Sequence, residues 1–311
     1  MSGVIRRSAV AVVLSVAVIV PPAAAPAGAD PLSLAGGGAT GRGIFLTYSD
    51  RDTVLEGGTV AAPDLASPVA QAAIDFTGLG SALAALGYSP YSDAAGVLNA
   101  FGGTELPVGS IGERSRAKVA GRPPQESTAA LSESVGQAQA RLVDGPAAEA
   151  WTSVVSAPDG AVTARTGELR ATVATVTKTA DSRVTVVLRQ IRIGELRIES
   201  IVLTAEALAD GAAGRATAST VVEGATLGGR PVRLTPRGLE PVGATAPDLS
   251  GLDRAGIEVV STGGALARPG GRQADARAIG PRLRLRSPDG RLLTVVLGEA
   301  VATSTREPGQ R

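Results

Sequence analysis

The sequence predicts a mainly β protein, with long antiparallel amphipathic strands in one elongated sheet or sandwich and one or two short helices. Three observations favour this class. Apolar and polar residues alternate with a period of two over long stretches, which places one side of each stretch in a core. Clusters of Gly and Pro separate these stretches and predict turns. The 311 residues include 1 Trp, 3 Tyr and 3 Phe, so the core is expected to consist of Val, Leu, Ile and Ala.

The middle third of the chain carries the clearest strand pattern. Apolar residues occupy alternate positions from 184 to 188, and the pattern then shifts by one residue to Ile191 and Ile193. A shift of this kind predicts a β-bulge. Gly194 predicts a bend, and a similar apolar-x-apolar-Gly unit recurs at Gly228. The two units indicate a weak internal repeat of strand, bend and strand.

The N-terminal residues have the pattern of a signal peptide. Arg6 and Arg7 precede an apolar run over residues 9–20, and Ala27-Gly28-Ala29 has the small-x-small form of a cleavage site. The run is shorter than the roughly 20 residues that a membrane-spanning helix needs. We therefore expect export with cleavage near Ala29, no stable transmembrane anchor afterwards, and a secreted or cell-envelope-associated protein.

The expected domain organisation follows from this assignment. It consists of a signal peptide over 1–29, a flexible N-terminal tail over 30–41, a single β-rich domain over 42–304 and a disordered C-terminal tail over 305–311. The strands expected before the middle third are 44–48, 69–76, 114–120, 126–143 and 161–179. Residues 126–143 also suit a helix by composition, but their alternation and their neighbours favour a strand.

Short helices are expected over 92–103, where Ser92 or Asp93 can cap the first turn and glycines end the segment, and over 249–256, where apolar residues share one side and Gly256 ends the segment. After the second helix, residues 257–261 are expected to form a strand and residues 263–271 a loop rich in Gly and Pro. Residues 276–286 and 291–304 are predicted to form a hairpin, because Pro288-Asp289-Gly290 is a strong turn signal between alternating segments.

The residue types exclude several kinds of catalysis. The chain has no His and no Cys, which excludes Ser-His-Asp and Cys-His catalysis and zinc sites with His ligands. Ser115 and Lys118 form a Ser-x-x-Lys motif, but the partner motifs of serine β-lactamases are absent. Residues 36–41 match G-x-G-x-x-G without a preceding strand, which favours a flexible glycine tail. We expect a non-enzymatic protein without cofactor or metal.

One basic stripe is the candidate ligand contact. Arg282, Arg284 and Arg286 alternate with Leu283 and Leu285 along one predicted strand. This pattern suits contact with an anionic cell-envelope polymer or a lipid headgroup. It equally suits the solvated side of an edge strand, whose charges discourage pairing with other chains. Nucleic acid is not an expected partner, since 30 basic residues are balanced by 29 acidic ones and few aromatic rings are present.

Several segments together resemble a group of uncharacterised exported β-rich proteins of high-GC Gram-positive (actinobacterial) bacteria. The segments that carry the likeness, in chain order, are GRGIFLTYS, GLGSALAALGYSPYS, IRIGELRIESIVLTAEALADG, VVEGATLGGRPVRLTPRGL and LLTVVLGEAVATS. The likeness covers most of the predicted mature chain. It implies alternating strands and export, and it implies no activity, cofactor or site residue.

The sequence therefore predicts an exported non-enzymatic protein that binds or scaffolds in the cell envelope or outside it. One alternative is a carrier of a lipid or other apolar ligand, in which the sheet curls round a cavity and Ala205, Ala207 and Ala218 leave space along its wall. Another is a carboxylate-dependent hydrolase, for which the candidate residues are Glu195, Glu199 and Glu206. The oligomeric state is left open.

Overall fold

The computed structural model describes an all-strand protein. The described residues are 35–48, 68–86, 116–132, 136–152, 155–156, 162–176, 179–235, 238–243, 257–286 and 292–306. They belong to one compact unit that spans residues 33–311. Every element in these ranges is a strand, which confirms the predicted fold class; the two expected helices lie outside the described residues.

The strands follow one another with short connections in most places. In the first half of the chain they are β1 Ala35–Tyr48, β2 Val69–Ile74, β3 Gly80–Ala85, β4 Arg116–Gly121, β5 Gln125–Ser132, β6 Gly136–Leu142, β7 Pro146–Thr152, β8 Val155–Ser156, β9 Val162–Ala164 and β10 Thr166–Val176. In the second half they are β11 Thr179–Ile193, β12 Leu196–Leu208, β13 Arg215–Glu223, β14 Thr226–Leu227, β15 Arg230–Thr235, β16 Gly238–Pro241, β17 Ile257–Ser261, β18 Gly264–Arg268, β19 Gln273–Ile279, β20 Arg282–Arg286 and β21 Leu292–Arg306.

These strands form two antiparallel sheets that pack face to face as a sandwich. Sheet 1 has the order β17-β20-β21-β1-β2-β3-β4, with β19 beside the second half of β21 and β18 outside β19. Sheet 2 has the order β16-β15-β14-β12-β11-β10-β7-β6-β5, with β13 beside the second half of β12. β1 and β21, the first and last described strands, lie against β11 and β12 from the middle third of the chain. These four strands form the centre of the core.

The four central strands are interrupted at the same level. On β11 two exposed residues separate the buried Leu188 from the buried Ile191. On the other three strands adjacent residues are both buried at this level, at 43–44 of β1, 200–201 of β12 and 295–300 of β21. The strand register is the same on both sides of this level in both sheets. The predicted shift of the buried pattern is thus confirmed, but the predicted β-bulge is wrong, because both partner strands shift together.

We call this shared interruption the kink. Two of its residues have backbone conformations in the left-handed region, with φ of 52° at Gln190 and 95° at Gly298. Glycine adopts such a φ freely, whereas a glutamine there is strained. The predicted bend at Gly194 is confirmed as a two-residue turn between β11 and β12. Its counterpart at Gly228 turns between β14 and β15, and the Gly228 backbone N–H donates to the Glu195 carbonyl over 3.3 Å.

The kink divides the core into two halves. In the small-residue half, the inward positions of β1, β19 and β21 are Ala, Gly or Ser, and Ala, Ser, Val and Leu side chains of sheet 2 lie opposite them. A Cβ atom added at Gly37 would lie 2.6 Å from the Oγ of Ser182 and 2.9 Å from the Cβ of Ala180. In the large-residue half both sheets contribute large buried side chains. Its fully buried members are Ile44, Ile191, Ile193, Leu196, Ile198, Leu283 and Leu297.

The glycine run near the N-terminus is therefore not a tail. Residues 35–41 form the first half of β1 and pair with β2 on one side and β21 on the other. The predicted flexible tail over 30–41 is wrong for these residues, because their alternate small positions face sheet 2 at close range. Residues 305–306 likewise continue β21 rather than starting a disordered tail.

Most of the other predicted strands are confirmed. Strands lie within the expected regions at 44–48, 69–74, 116–120 and 257–261, and the ambiguous 126–143 region forms β5 and β6 rather than a helix. The predicted hairpin is confirmed for β20 and β21 by their antiparallel register, but its first segment, 276–286, is divided into β19 and β20 at Gly280 and Pro281. The loop expected over 263–271 is wrong in part, because β18 occupies five of its residues and pairs with β19. The sequence pattern also missed β3.

Candidate functional site

An open groove lies at the kink, where the edge strands of the two sheets separate. Its volume is about 470 Å³. Sheet 2 lines one side with the end of β13, the link to β14, and β15. The turn between β17 and β18 lines the other side. The lining residues are Thr220, Val222, Gly224, Ala225, Val232, Arg233, Leu234, Val242 and residues 262–265.

Glycines and one hydroxyl position the walls of the groove. Gly224, with φ of 65°, ends β13, and Gly263, with φ of 91°, makes the turn from β17 into β18. Beside the groove β13 and β18 run next to each other. The Thr220 hydroxyl bridges them, lying 3.0 Å from the Gly264 carbonyl and 3.2 Å from the Ile279 carbonyl. A hydroxyl has a single proton to donate, so these two carbonyls share it. The groove opens where this contact ends.

The floor of the groove is the edge of the core. Val232 is buried, and Val222, Ala225 and Leu234 are partly buried and pack against the core cluster. Val242 lines the groove and is 49% exposed, while Leu266 on the neighbouring strand β18 is 51% exposed. Burial by a ligand stabilises a complex by about 25 cal/mol per Å² of apolar surface.

Three backbone groups beside the groove have hydrogen-bond partners within the protein. The Gly263 N–H donates to the Ser261 Oγ over 3.2 Å, and the Gly264 carbonyl accepts from Thr220. The Ala225 carbonyl accepts from the Val232 N–H over 2.9 Å. These three groups are therefore not free to pair with an added strand.

The predicted arginine stripe lies on the outward side of β20. Leu283 and Leu285 are buried, and Arg282 and Arg284 face away from the core. Arg284 donates from Nη1 to Glu258 Oε2 over 2.8 Å, and its Nε is buried without a hydrogen-bond partner within the described residues. The side chain of Arg286 lies outside the described residues.

Arg282 is close to the groove. It is exposed, makes no ion pair in the described part of the chain, and pairs in register with Ser261. Ser261 directly precedes Thr262, which lines the groove. Adjacent strands lie roughly 4.8 Å apart. The structure therefore places one member of the predicted stripe one strand away from the groove wall.

A second ionic cluster was missed by sequence reasoning. The Glu299 carboxylate is 7% exposed; Arg277 donates to it from Nε and Nη2 over 3.0 and 2.6 Å, and Arg42 lies 3.6 Å away on the other side. These residues belong to β19, β21 and β1, so only the strand register brings them together. The ion pairs of this cluster link three neighbouring strands of sheet 1 at the kink.

The carboxylates considered for hydrolysis do not form a site. Glu195 lies in the turn after β11, Glu199 lies at the kink, and Glu206 pairs in register with Arg183. No group of three or more His, Cys, Asp or Glu side chains that could hold a metal occurs among the described residues. Lys118 of the Ser-x-x-Lys motif is exposed on β4, and residues 36–41 are part of β1.

Two groups on sheet 2 have shifted pKa values, and both act in local structure. The backbone N–H groups of Ala212 and Gly214 donate to Asp210 and lower the pKa of its carboxyl. A hydrogen bond from Arg183 to Asp181 raises the pKa of the guanidinium. Neither group lines the groove.

Comparison with family models, curated proteins and solved structures found no match to this chain. Within the ranges given above, no helix is long and apolar enough to span a membrane. The fold and the groove define a cysteine-free β-sandwich protein with a groove between the edges of its two sheets, lined by Val, Leu and Ala together with Thr and Arg233.

Proposed function

We propose that this protein is exported and acts without catalysis, by binding a ligand in the cell envelope or outside the cell. The groove is the contact site. The observation that carries the proposal is its apolar floor, since Val222, Val232 and Leu234 continue the core to the protein surface. The likeness to exported actinobacterial proteins and the signal-peptide pattern support the location.

The burial of the three alanines considered for a lipid carrier bears on that alternative. Ala205 and Ala207 are fully buried between the sheets, and Ala218 packs against the core. Space for an apolar ligand therefore lies at the groove rather than beside these alanines. A carrier role remains compatible with the groove, and it differs from a scaffolding role in whether a small ligand is retained during purification.

A filled-groove variant tests the proposal. Gly264 lines the groove, its φ lies outside the left-handed region, and a Cβ atom added there meets nothing within 4 Å. Gly264→Phe therefore adds a large side chain to the groove without strain. Ala73→Phe is the matched control, because Ala73 is exposed on β2, away from the groove.

The measurement is native mass spectrometry of the mature protein purified from its native host. We expect a co-purifying small molecule on the wild type and on Ala73→Phe, and its loss from Gly264→Phe at an unchanged unfolding temperature. Ligand-free wild-type protein, or equal ligand content in both variants, would contradict the proposal.

A further inference from the structure

The lining of the groove favours a flexible aliphatic ligand. Its described side chains are Val, Leu, Ala and Thr with the single Arg233, and Gly224, Gly263 and Gly264 leave room beside them. Its described lining residues include no aromatic ring, so they offer no platform for stacking a sugar or a base. Its volume of about 470 Å³ falls in the range of small-molecule sites, roughly 300–1,000 Å³.

The state of the backbone argues against an added peptide strand. A peptide that extends a sheet gains its affinity from main-chain hydrogen bonds to an open edge. Here the Gly263 N–H, the Gly264 carbonyl and the Ala225 carbonyl are already bonded within the protein. A hydrocarbon chain has no polar groups to satisfy, and it leaves these bonds intact.

Two arginines favour an anionic head on that chain. Arg233 lines the groove from β15, is exposed and makes no ion pair among the described residues. Its register partner Glu240 instead accepts a hydrogen bond from Thr235 Oγ1 over 3.1 Å. Arg282 lies behind the opposite wall and is also without an ion pair in the described ranges. Arginine binds carboxylates through charge-assisted, often bidentate hydrogen bonds.

From these observations, and resting on the proposed function, we infer that the ligand is a free fatty acid. Its hydrocarbon chain lies on Val222, Val232 and Leu234, and its carboxylate binds Arg233 and Arg282. The side chains of these arginines are long enough to carry the charge beyond their own strands while their stems stay on the surface.

The test is isothermal titration of the mature wild-type protein with dodecanoic acid and, separately, with dodecanol. We expect dodecanoic acid to bind at least about tenfold more tightly than dodecanol, because charge-assisted hydrogen bonds are lost with the alcohol. The Arg233→Gln/Arg282→Gln variant is expected to lose this preference. Arg189→Gln, on the outward side of sheet 2, is the control and keeps it.

The possible outcomes separate the ligand class from the proposed function. Equal affinity for acid and alcohol, or a preference that survives in the double variant, overturns the assignment of the carboxylate. In a second outcome, the wild type fails to bind dodecanoic acid while it still carries a co-purifying molecule that Gly264→Phe loses. That result overturns the fatty acid as the ligand and leaves the groove as the binding site. The fatty-acid assignment is overturned in favour of a peptide if an alternating Val-Thr hexapeptide displaces dodecanoic acid at lower concentration. It is overturned in favour of a membrane surface if the protein binds phosphatidylglycerol vesicles but not the free acid.

Discussion

The two halves of the core, on either side of the kink, bury apolar surface in different ways. In the small-residue half, glycines and alanines of sheet 1 let the side chains of sheet 2 pack directly against its backbone, as at Gly37 and Gly41. In the large-residue half, side chains such as Ile193 and Leu297 meet from both sheets. Adding atoms to the small-residue half is therefore expected to lower the stability of the protein by overpacking. Removing atoms from the large-residue half is expected to lower it by leaving cavities. The groove opens at the kink, beside the large-residue half.

The largest expected effect is a loss of atoms from the large-residue half. Leu297 is fully buried on β21. Leu297→Ala removes buried methyl groups and leaves a cavity, so we expect a fall of about 2–5 kcal/mol in the free energy of unfolding. Urea denaturation measures it. A loss of less than about 1 kcal/mol would mean that the large-residue half repacks around the missing atoms. Its stability would then not depend on these large side chains.

A smaller but more specific effect is expected from added atoms in the small-residue half. Gly37→Ala places a Cβ atom against Ser182 and Ala180, whereas Gly38→Ala faces outward and meets Thr303 Oγ1 at 3.1 Å. We expect the first variant to lose about 1–3 kcal/mol of unfolding free energy by overpacking. The second should change it by less than about 0.5 kcal/mol, as other surface substitutions do. Equal behaviour of the two variants in the same denaturation experiment would contradict the close packing of β1.

The sequence could predict the strands but not the role of this glycine run. Alternation marks strands locally, so β11, β12 and the β20–β21 hairpin were predictable. Residues 35–41 lack large apolar side chains, and their partner β21 lies at the other end of the chain. A run of glycines reads as a linker unless the opposite sheet is known.

The groove was unpredictable for a related reason. Its walls come from residues near 220–234 and near 262–265, and only the packing of one sheet edge against another brings them together. The stripe at Arg282 was predictable as a basic strand, since the alternation with Leu283 is local. Its nearness to the groove depends on the pairing of β17 with β20, which has no local signal. β18 was missed because its short Gly- and Ala-containing segment resembles the loop around it.

The backbone at the kink gives a third, smaller test. Gln190 has a left-handed φ, which costs roughly 1 kcal/mol or more for a residue with a Cβ atom. Gln190→Gly and Gln190→Ala both lose the side-chain contact with Arg165, so their difference isolates the backbone. We expect the glycine variant to be more stable than the alanine variant by about 1 kcal/mol in thermal unfolding. The opposite order would contradict the left-handed backbone conformation of Gln190 at the kink.

The smallest expected effect concerns the turn at the far end of the small-residue half. Backbone N–H groups lower the pKa of Asp210, and the Asp210 carbonyl accepts from Arg306. A carboxyl whose pKa is lower in the folded state stabilises the protein above its unfolded pKa of about 3.9, and this contribution is lost as pH falls. The stability difference between wild type and Asp210→Asn should therefore shrink between pH 6 and pH 3. A difference that does not change with pH would show that the turn does not depend on the charge.

The most direct test of the binding account is a crystal structure of the mature protein grown with dodecanoic acid. The account predicts density for the hydrocarbon chain along Val222, Val232 and Leu234, with the carboxylate within hydrogen-bonding distance of Arg233 or Arg282. Crystals in which the groove holds no ligand density would contradict the account, whether dodecanoic acid is bound elsewhere on the protein or is not bound at all.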